Sequence, residues 1–283
     1  MLVVALGGNA LSPPNTADRH YAAERARAAD SGRALARLAG RGYRLVVVHG
    51  NGPQVGRLMQ AEQDPQIGNL DIHVAQTQGE LGYLLMTAMA APVACLVTRV
   101  LVGADPGPPL KPIGPILRAP PGSDVPRVEV DGGWRRLVPS PRPTAVLEMH
   151  AIAALLRTHH VIAGGGGGVP MTKDGSPVSA VVDKDWVASL LAVALDAAHL
   201  IFATDVDGVY ERFGEAGSRR YERLSTAQGR RMLQSGMLGT GSMAPKVASA
   251  LEFVAATGRQ AHVCGLEDIE RVVGAQGVGT VVG

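Results

Sequence analysis

Lysine is scarce in this chain of 283 residues. Of its 27 basic side chains, only Lys111, Lys173, Lys184 and Lys246 are lysine, and the others are arginine. Arginine therefore serves for generic surface charge, and a lysine that is kept supplies a compact, flexible point charge where a planar guanidinium would not fit. Random scatter under compositional bias is the alternative explanation, so the surroundings of each lysine decide between the two.

Other scarcities exclude whole classes of protein. There are two cysteines, and because Cys95 and Cys264 each end an apolar run, buried free thiols are favoured over a disulfide. Aromatic residues make up 4% of the chain, so the core must be built from Val, Leu, Ala and Ile. A net charge of +2 gives no sign of a nucleic-acid-binding surface. No apolar run is long enough to span a bilayer, and the opening LVVALGGNA lacks the charged start of a signal peptide, so we expect a cytoplasmic protein.

Several catalytic signatures are also missing. The first glycine loop is not G-x-G-x-x-G, and no G-x-x-x-x-G-K-[ST] occurs, which excludes a dinucleotide fingerprint and a P-loop. The eight histidines form no HExxH or other close pair of metal ligands, and there is neither G-x-S-x-G nor a credible cysteine nucleophile. We therefore predict no metal site built from side chains.

Short apolar runs alternate with longer helical stretches along the whole chain, which predicts an α/β fold in a single domain, residues 1–283. Continuous Val, Ile and Leu runs indicate a mainly parallel sheet buried on both faces. Strands are predicted at Leu2–Leu6, Leu45–Val48, Ala94–Thr98, Val161–Ala163, Leu200–Thr204, Gln260–Cys264 and Thr280–Val282. Helices are predicted at Ala22–Ala39, His73–Ala91, Lys184–Leu195 and Ala244–Thr257.

One stretch departs from this alternation. Residues 103–143 are rich in Pro, Gly and Arg, and a structureless loop of that length is unusual inside a compact domain. We expect a small protruding subdomain there, with Arg127–Val130 and Trp134–Val138 as the arms of a hairpin about Asp131, Gly132 and Gly133.

Unusual glycines follow the predicted strands, where parallel sheets bind ligands. They occur in GGN (Gly7, Gly8, Asn9), in HGNGP (Gly50, Asn51, Gly52) and in the run Gly164–Gly168, which includes Gly165 and Gly166. Glycine permits close approach of a ligand to the backbone, and a following helix offers free N–H groups to a phosphate. A tight turn explains any one of the short loops equally well, and a flexible linker is the alternative for the glycine run.

Charged residues gather at the remaining strand and helix ends. Asp183 is a natural N-cap, but Lys184 then stands at the unfavourable end of the helix dipole, which suggests an anionic ligand nearby. Asp185 can orient neighbouring lysines. Lys246 follows Pro245 in the first turn of a helix, and Asp205 stands at a strand end in TDVDG.

Taken in order, ALGGNA, VVHGNGPQVG, KPIGP, WRRLVPSP, GGGGVP, VVDKDWVA, TDVDGVY and GSMAPK resemble the carbamate kinases of the amino-acid kinase superfamily over essentially the whole chain. The resemblance implies a three-layer αβα sandwich with an open, mainly parallel central sheet and a protruding subdomain. It also implies a homodimer, and a reversible phosphoryl transfer between carbamoyl phosphate and ADP that gives ATP and carbamate, with Mg²⁺. Arginine metabolism is one setting for that reaction; purine-derived carbamoyl phosphate and other sources stay open.

The resemblance also implies roles for particular residues. Lys111, Lys184 and Lys246 match the catalytic lysines, and Asp185 matches the aspartate that organises them. The two glycine-asparagine loops match the surroundings of the phosphates; Thr204, Asp205, Tyr210 and Lys246 match the nucleotide side. The N-terminal half would bind carbamoyl phosphate, and residues from about 160 to 283 the nucleotide. The chain departs from the family in Ala244, usually Gly, and in a shortened subdomain after Lys111.

The chemistry agrees with these assignments. Phosphoryl transfer asks a protein mainly for positioning and charge stabilisation, and here the attacking group is already an anion in either direction, so no general base is needed. Two alternatives remain: a superfamily kinase for another small acid or phosphate, and a catalytically silent nucleotide-binding sensor. Lys173, in MTKDGSP, is expected at an exposed hairpin tip away from the site.

Overall fold

The computed structural model describes residues 1–13, 21–61, 69–120, 122, 124–130, 132–215, 217–238, 242–274 and 277–283. The strands are β1 (Leu2–Leu6), β2 (Leu45–His49), β3 (Val93–Cys95), β4 (Arg99–Leu101), β5 (Pro109–Leu117), β6 (Arg127–Val130), β7 (Gly133–Pro139), β8 (Ala145–Val146), β9 (His160–Ile162), β10 (Val169–Met171), β11 (His199–Thr204), β12 (Tyr210–Glu211), β13 (Arg219–Arg220), β14 (Arg223–Leu224), β15 (Ala261–Gly265) and β16 (Thr280–Val282). The helices are α1 (Tyr21–Gly40), α2 (Gly52–Ala61), α3 (Leu70–Met89), α4 (Met149–Leu155), α5 (Lys184–Ala194), α6 (Thr226–Gln234) and α7 (Met243–Thr257).

The central sheet has eight strands in the order β14-β16-β15-β11-β1-β2-β9-β3. The middle strands β15, β11, β1, β2 and β9 run parallel to one another, whereas β16 runs antiparallel to β15. The predicted parallel sheet is therefore confirmed. The loops that follow β11, β1, β2 and β9 lie next to one another at a single edge of it.

Side chains alternate between the two faces of this sheet. Val3 and Ala5 of β1 belong to one apolar core with the buried sides of α5 and α7. Leu2, Val4 and Leu6 belong to a second core with α1 and α3. Because both faces are covered, every β1 side chain is fully buried. Burial of each valine or leucine of the strand stabilises the fold by about 1.5–3 kcal/mol. The three-layer sandwich is thereby confirmed.

The predicted strand Ala94–Thr98 is too long. β3 ends at Cys95, and the carbonyl of Thr98 accepts from the N–H of Val169, the first residue of β10, at 2.8 Å. The amide of Gln78, on α3, accepts from Thr98 N at 2.7 Å and donates to Thr98 O at 3.1 Å. Both cysteines are free thiols, as expected.

The protruding segment forms its own three-stranded antiparallel sheet in the order β5-β7-β6, residues 109–139, which we call the flap. The predicted hairpin arms are confirmed as β6 and β7, and Asp131 at its turn lies outside the described residues. The longest flap strand, β5, was not predicted, because its three prolines obscure any alternation.

The other elements that the sequence did not predict are short. They include α4 of seven residues, the polar helix α6, a small sheet of β10, β4 and β8, and the ribbon of β12 and β13. Lys173 is exposed in a turn after β10, where Met171 bridges Pro177 in antiparallel fashion, as a hairpin tip requires. No helix in the described part of the chain is both long and apolar enough to cross a membrane.

Candidate active site

A cavity of about 580 Å³ opens at the carboxyl ends of the central strands, between the sheet and the flap. It brings together most of the residues that the sequence singled out: Gly7, Gly8, Asn9, Gly50, Asn51, Gly52, Lys111, Gly166, Lys184, Asp185, Thr204, Asp205 and Lys246. Gly165 and Tyr210 do not line it. Loops distant in sequence therefore form one site because their strands are neighbours in the sheet.

Asp185 lies at the centre of the cationic part of this cavity. Its Oδ1 is 2.5 Å from Lys184 Nζ, and its Oδ2 is 3.2 Å from Lys246 Nζ. Asp185 is 2% exposed and Lys246 is equally buried, so both ion pairs are shielded from water. The expected arrangement, one aspartate that orients two lysines, is present.

Lys246 is strongly desolvated at the start of α7. Burial lowers its pKa, and the attraction of Asp185 opposes this only in part. Its Nζ also donates to the carbonyl of Ser242 at 3.2 Å. An anion that enters the cavity would stabilise the charged form of Lys246, so the site favours anionic ligands.

Lys111 reaches the same cavity from β5 of the flap. Its Nζ is 2.6 Å from Asp183 Oδ2, and its side chain is 37% exposed, far more than those of Lys184 and Lys246. The flap thus delivers its lysine to the cavity. Lys111 is the most accessible of the cavity's three ammonium groups.

Asp183 does more than the sequence indicated. As predicted it is the N-cap of α5, and its Oδ1 accepts from Asp185 N at 3.0 Å. Burial alone would raise its pKa, but Lys111, Lys184 and its hydrogen bonds outweigh burial and lower the pKa to about 2. Asp183 is therefore ionised near neutral pH and holds the flap lysine.

The first two glycine loops differ from each other. Gly52 begins α2, so HGNGP leads into a helix as expected. The GGN loop instead enters a short 3-10 turn, Gly8–Ala10, so the expected helix N-terminus directly after it was wrong. The two loops pack closely, since a Cβ on Gly50 would lie 3.3 Å from the backbone of Gly8 and 3.5 Å from Lys184 Cε.

The five-glycine run is shaped by the protein itself. A Cβ on Gly165 would lie 2.5 Å from His49 Nε2, and one on Gly166, where φ is +63°, would lie 2.0 Å from Asn51 Nδ2. The run is buried and contains a 3-10 turn, so it is not a linker. Of the two glycines predicted to bind phosphate, Gly166 lines the cavity, whereas Gly165 packs behind it and does not line it.

His49 lies just behind the second loop. Its ring is buried, and its Nδ1 is 3.2 Å from the carbonyl oxygen of Gly50, to which it donates. Burial, together with Lys184, lowers the pKa of His49 to about 4, although the bond to Gly50 opposes the shift. The imidazole is therefore neutral near pH 7 and serves to support the loop.

A second cavity of about 240 Å³ adjoins the first and shares Thr204, Asp205 and Ser242 with it. Tyr210 lines this one, beside Phe213, and its hydroxyl donates to Asp207 at 2.7 Å. Tyr210 and Asp205, both expected on the nucleotide side, therefore line the same smaller, more apolar cavity.

Proteins of known function resemble this chain along almost its whole length. A sequence profile described as the amino acid kinase family matches residues 1–265. A carbamate kinase of Lentilactobacillus hilgardii is 37% identical over 99% of this chain and 96% of its own length. One from Escherichia coli K12 is 38% identical over 96% of both chains.

The chain belongs to the carbamate kinases of the amino acid kinase family.

Solved structures of this family share the fold. The carbamate kinase of Giardia lamblia bound to AMP-PNP superimposes with a TM-score of 0.86 at 30% identity, covering 99% of this chain and 97% of that one. The match includes the flap as well as the central sheet. Gly241, in the family motif GSMAPK, lies outside the described residues, and Ala244 lies inside the first turn of α7.

Two features of the family motifs escaped the sequence reading. Arg135, from WRRLVPSP, lines the main cavity, and its Nε donates to the carbonyl of Gly114 at 3.2 Å. Gly114, from KPIGP, meets Gly56 of α2 so closely that a Cβ on Gly56 would lie 1.9 Å from Gly114 Cα. Gly56 inside a helix was the signal available in the sequence. Glycine there lowers helix stability by about 1 kcal/mol relative to alanine, so its presence usually indicates a close packing contact.

Few side chains of this site are suited to bind a metal ion. Among the described residues, no group of three or more His, Cys, Asp or Glu side chains is placed to hold a metal ion. Asp205 is a carboxylate at the junction of the two cavities, and Asn9 Nδ2 donates to its Oδ2. One carboxylate together with phosphate oxygens is a usual environment for Mg²⁺, so Asp205 fits that role.

Proposed function

We propose that this protein catalyses the reversible transfer of a phosphoryl group between carbamoyl phosphate and ADP, giving carbamate and ATP. The observation that carries the proposal is the arrangement of Lys184 and Lys246 on Asp185, with Lys111 facing them from the flap. Three ammonium groups at one cavity suit a reaction in which two anions must meet.

The chemistry needs no proton acceptor. An oxygen of the ADP β-phosphate attacks the phosphorus of carbamoyl phosphate, the bond from phosphorus to the carbamoyl oxygen breaks, and carbamate leaves. The described lining of the cavity contains no histidine or cysteine. Catalysis then depends on alignment and on neutralising the equatorial oxygens.

We assign the two substrates to the two sides of the cavity. Lys184 and Lys246 would contact the transferred phosphoryl group and the ADP phosphates, and Lys111 would contact carbamoyl phosphate. The glycine-asparagine loops of the N-terminal half would lie against carbamoyl phosphate. Thr204, Asp205 and Tyr210 would lie on the nucleotide side, with the base in the smaller cavity.

The AMP-PNP complex of the Giardia relative supports ADP and ATP as ligands. We propose that Mg²⁺ accompanies the nucleotide, held mainly by its phosphates and by Asp205, where it would neutralise phosphate charge.

We also propose a cytoplasmic homodimer, with arginine breakdown as one source of carbamoyl phosphate. On α3, three large apolar side chains, Ile72, Tyr83 and Met86, are exposed. Their spacing of 11 and 3 residues puts them on one side of the helix, where a second copy could cover them. Light scattering after gel filtration tests the dimer; a monomer mass at micromolar concentration would contradict it.

The activity is tested by mixing purified protein with carbamoyl phosphate and Mg-ADP and measuring ATP by luminescence. ATP formation is expected, abolished in Lys246→Met and unchanged in the matched variant Lys173→Met. No ATP above the background would show the proposal wrong. Faster ATP formation from acetyl phosphate would favour a kinase for another acid, and ADP binding without any turnover would favour a sensor.

A further inference from the structure

An ion pair between Lys111 and Asp183 connects the flap to the start of α5. Lys111 stands on β5 and Asp183 immediately before α5, 72 residues later in the chain. Their 2.6 Å contact is partly shielded, with the Asp183 side chain 14% exposed. The pair therefore links a protruding sheet to the helix that carries Lys184 and Asp185.

The two carboxylate oxygens of Asp183 have separate tasks. Oδ1 accepts from the backbone N–H of Asp185 and so caps α5, while Oδ2 binds Lys111. Capping does not require a charge, because Asn and Ser cap helices about as well as Asp. The negative charge is therefore explained by Lys111 and not by the cap.

A carboxylate is otherwise unfavourable here. Asp183 lines a cavity that, in the proposed function, takes up two anions, and an added negative charge repels them. Asp185 offsets this by orienting two buried lysines. Asp183 has the same relation to a third lysine, whose four-carbon stem and partial exposure leave it free to swing away.

We propose that Asp183 is a positioning residue that holds the Lys111 ammonium in the cavity for phosphoryl transfer. The proposal rests on the proposed function. Asp183 acts through Lys111. The start of α5 then positions all three lysines, because Asp185 binds Lys184 and Lys246 while Asp183 Oδ2, the oxygen not used for the cap, binds Lys111.

The decisive variant is Asp183→Asn, which keeps the cap and removes the charge. We expect kcat with carbamoyl phosphate to fall about 10- to 100-fold, with the KM for ADP nearly unchanged and the melting temperature preserved. Asp105→Asn is the matched control, since Asp105 is exposed and also accepts from a backbone N–H, that of Gly107, at 2.8 Å. If Asp183→Asn does not fold, Asp183→Ser supplies the same cap with a side chain too short to reach Lys111.

Combining Asp183→Asn with Lys111→Met distinguishes positioning from an independent effect. If Asp183 acts through Lys111, it adds almost nothing to the loss already caused by Lys111→Met. Multiplicative losses, or an unchanged kcat in Asp183→Asn alone, would overturn the proposal.

A second readout does not depend on turnover. Because the chain has four lysines, acetylation of each by a water-soluble succinimidyl ester can be followed by mass spectrometry. We expect Lys111 to react several-fold faster in Asp183→Asn than in the unchanged protein, with exposed Lys173 as internal standard, because the contact with Asp183 Oδ2 holds the Lys111 Nζ in the cavity and shields it from the reagent. Unchanged labelling overturns the proposal. If the unchanged protein makes no ATP, the proposed function fails, and labelling alone then decides whether Asp183 holds Lys111.

Discussion

Substituting Gly56 by alanine should disable the site without unfolding the protein. A Cβ at this position would lie 1.9 Å from Gly114 Cα and 2.7 Å from Gly114 N, where ordinary contacts begin near 3.4 Å. Gly114 is backbone with φ +74° and cannot rotate aside, so β5 must move away from α2 by about 1.5 Å. Lys111 lies three residues before Gly114 on the same strand and would move with it.

The expected magnitudes follow from that displacement. A shift of about 1 Å in a group that positions substrate can cost roughly 100-fold in rate, so we expect kcat to fall by about that factor. Stability should fall by at most about 2.5 kcal/mol, because alanine is favoured over glycine inside a helix by about 0.5–1 kcal/mol, which offsets part of an overpacking cost of about 1–3 kcal/mol.

The assay is ATP formation from carbamoyl phosphate and Mg-ADP, with calorimetric ADP affinity and a thermal melt on the same samples. Gly79→Ala is the matched control: it makes the same substitution in the neighbouring helix α3, where a Cβ meets nothing within 4 Å. A kcat for Gly56→Ala within about threefold of the unchanged protein would refute the inference that the contact between Gly56 and Gly114 fixes the position of β5 and Lys111.

Three further outcomes are expected. Lys111→Arg should lose most of its kcat with ADP affinity retained while Lys173→Arg is silent, and near-normal activity would remove Lys111 from the site. Asp185→Asn should lower kcat by about 1000-fold and lower the pKa of Lys246 further, since the buried ammonium loses its counter-charge; a loss under about tenfold would contradict the shared role of Asp185. Burial, then His199 and Arg223, lower the pKa of His262 to about 4. As pH falls from 6.5 towards 4, this imidazole is therefore protonated only in the unfolded chain. The free energy of unfolding should drop by about 1.4 kcal/mol per pH unit in that range. Urea unfolding at several pH values should show a shallower dependence in His262→Gln, and equal slopes would exclude this histidine as the cause.

The central sheet and most of the site could be predicted from the sequence, because both depend on patterns of neighbouring residues. Apolar runs mark β1, β2 and β11, and the glycine and aspartate motifs directly follow them, so their meeting at one sheet edge was predictable. Lys184 and Asp185 are adjacent in the chain. Their geometry was therefore largely set by the start of α5.

Contacts between distant segments were not predictable in the same way. The ion pair of Lys111 with Asp183 and the backbone contact of Gly56 with Gly114 depend on where the flap docks, and no pattern within β5 reveals that. The glycine run misled for the same reason: its steric demand comes from His49 and Asn51, which belong to another strand end. Which catalytic roles the assembled residues have stays a prediction for the experiments above.

The pairing of each lysine with an internal carboxylate bears on how the products depart. Three ammonium groups in the cavity are matched by Asp183 and Asp185, so these five side chains together leave a single surplus positive charge. A cavity with three unneutralised cations would attract nucleotide phosphates more strongly and slow their dissociation. Built-in counter-ions can replace a departing anion at each ammonium group. The site can then release either ATP or ADP, as a reversible phosphoryl transfer requires.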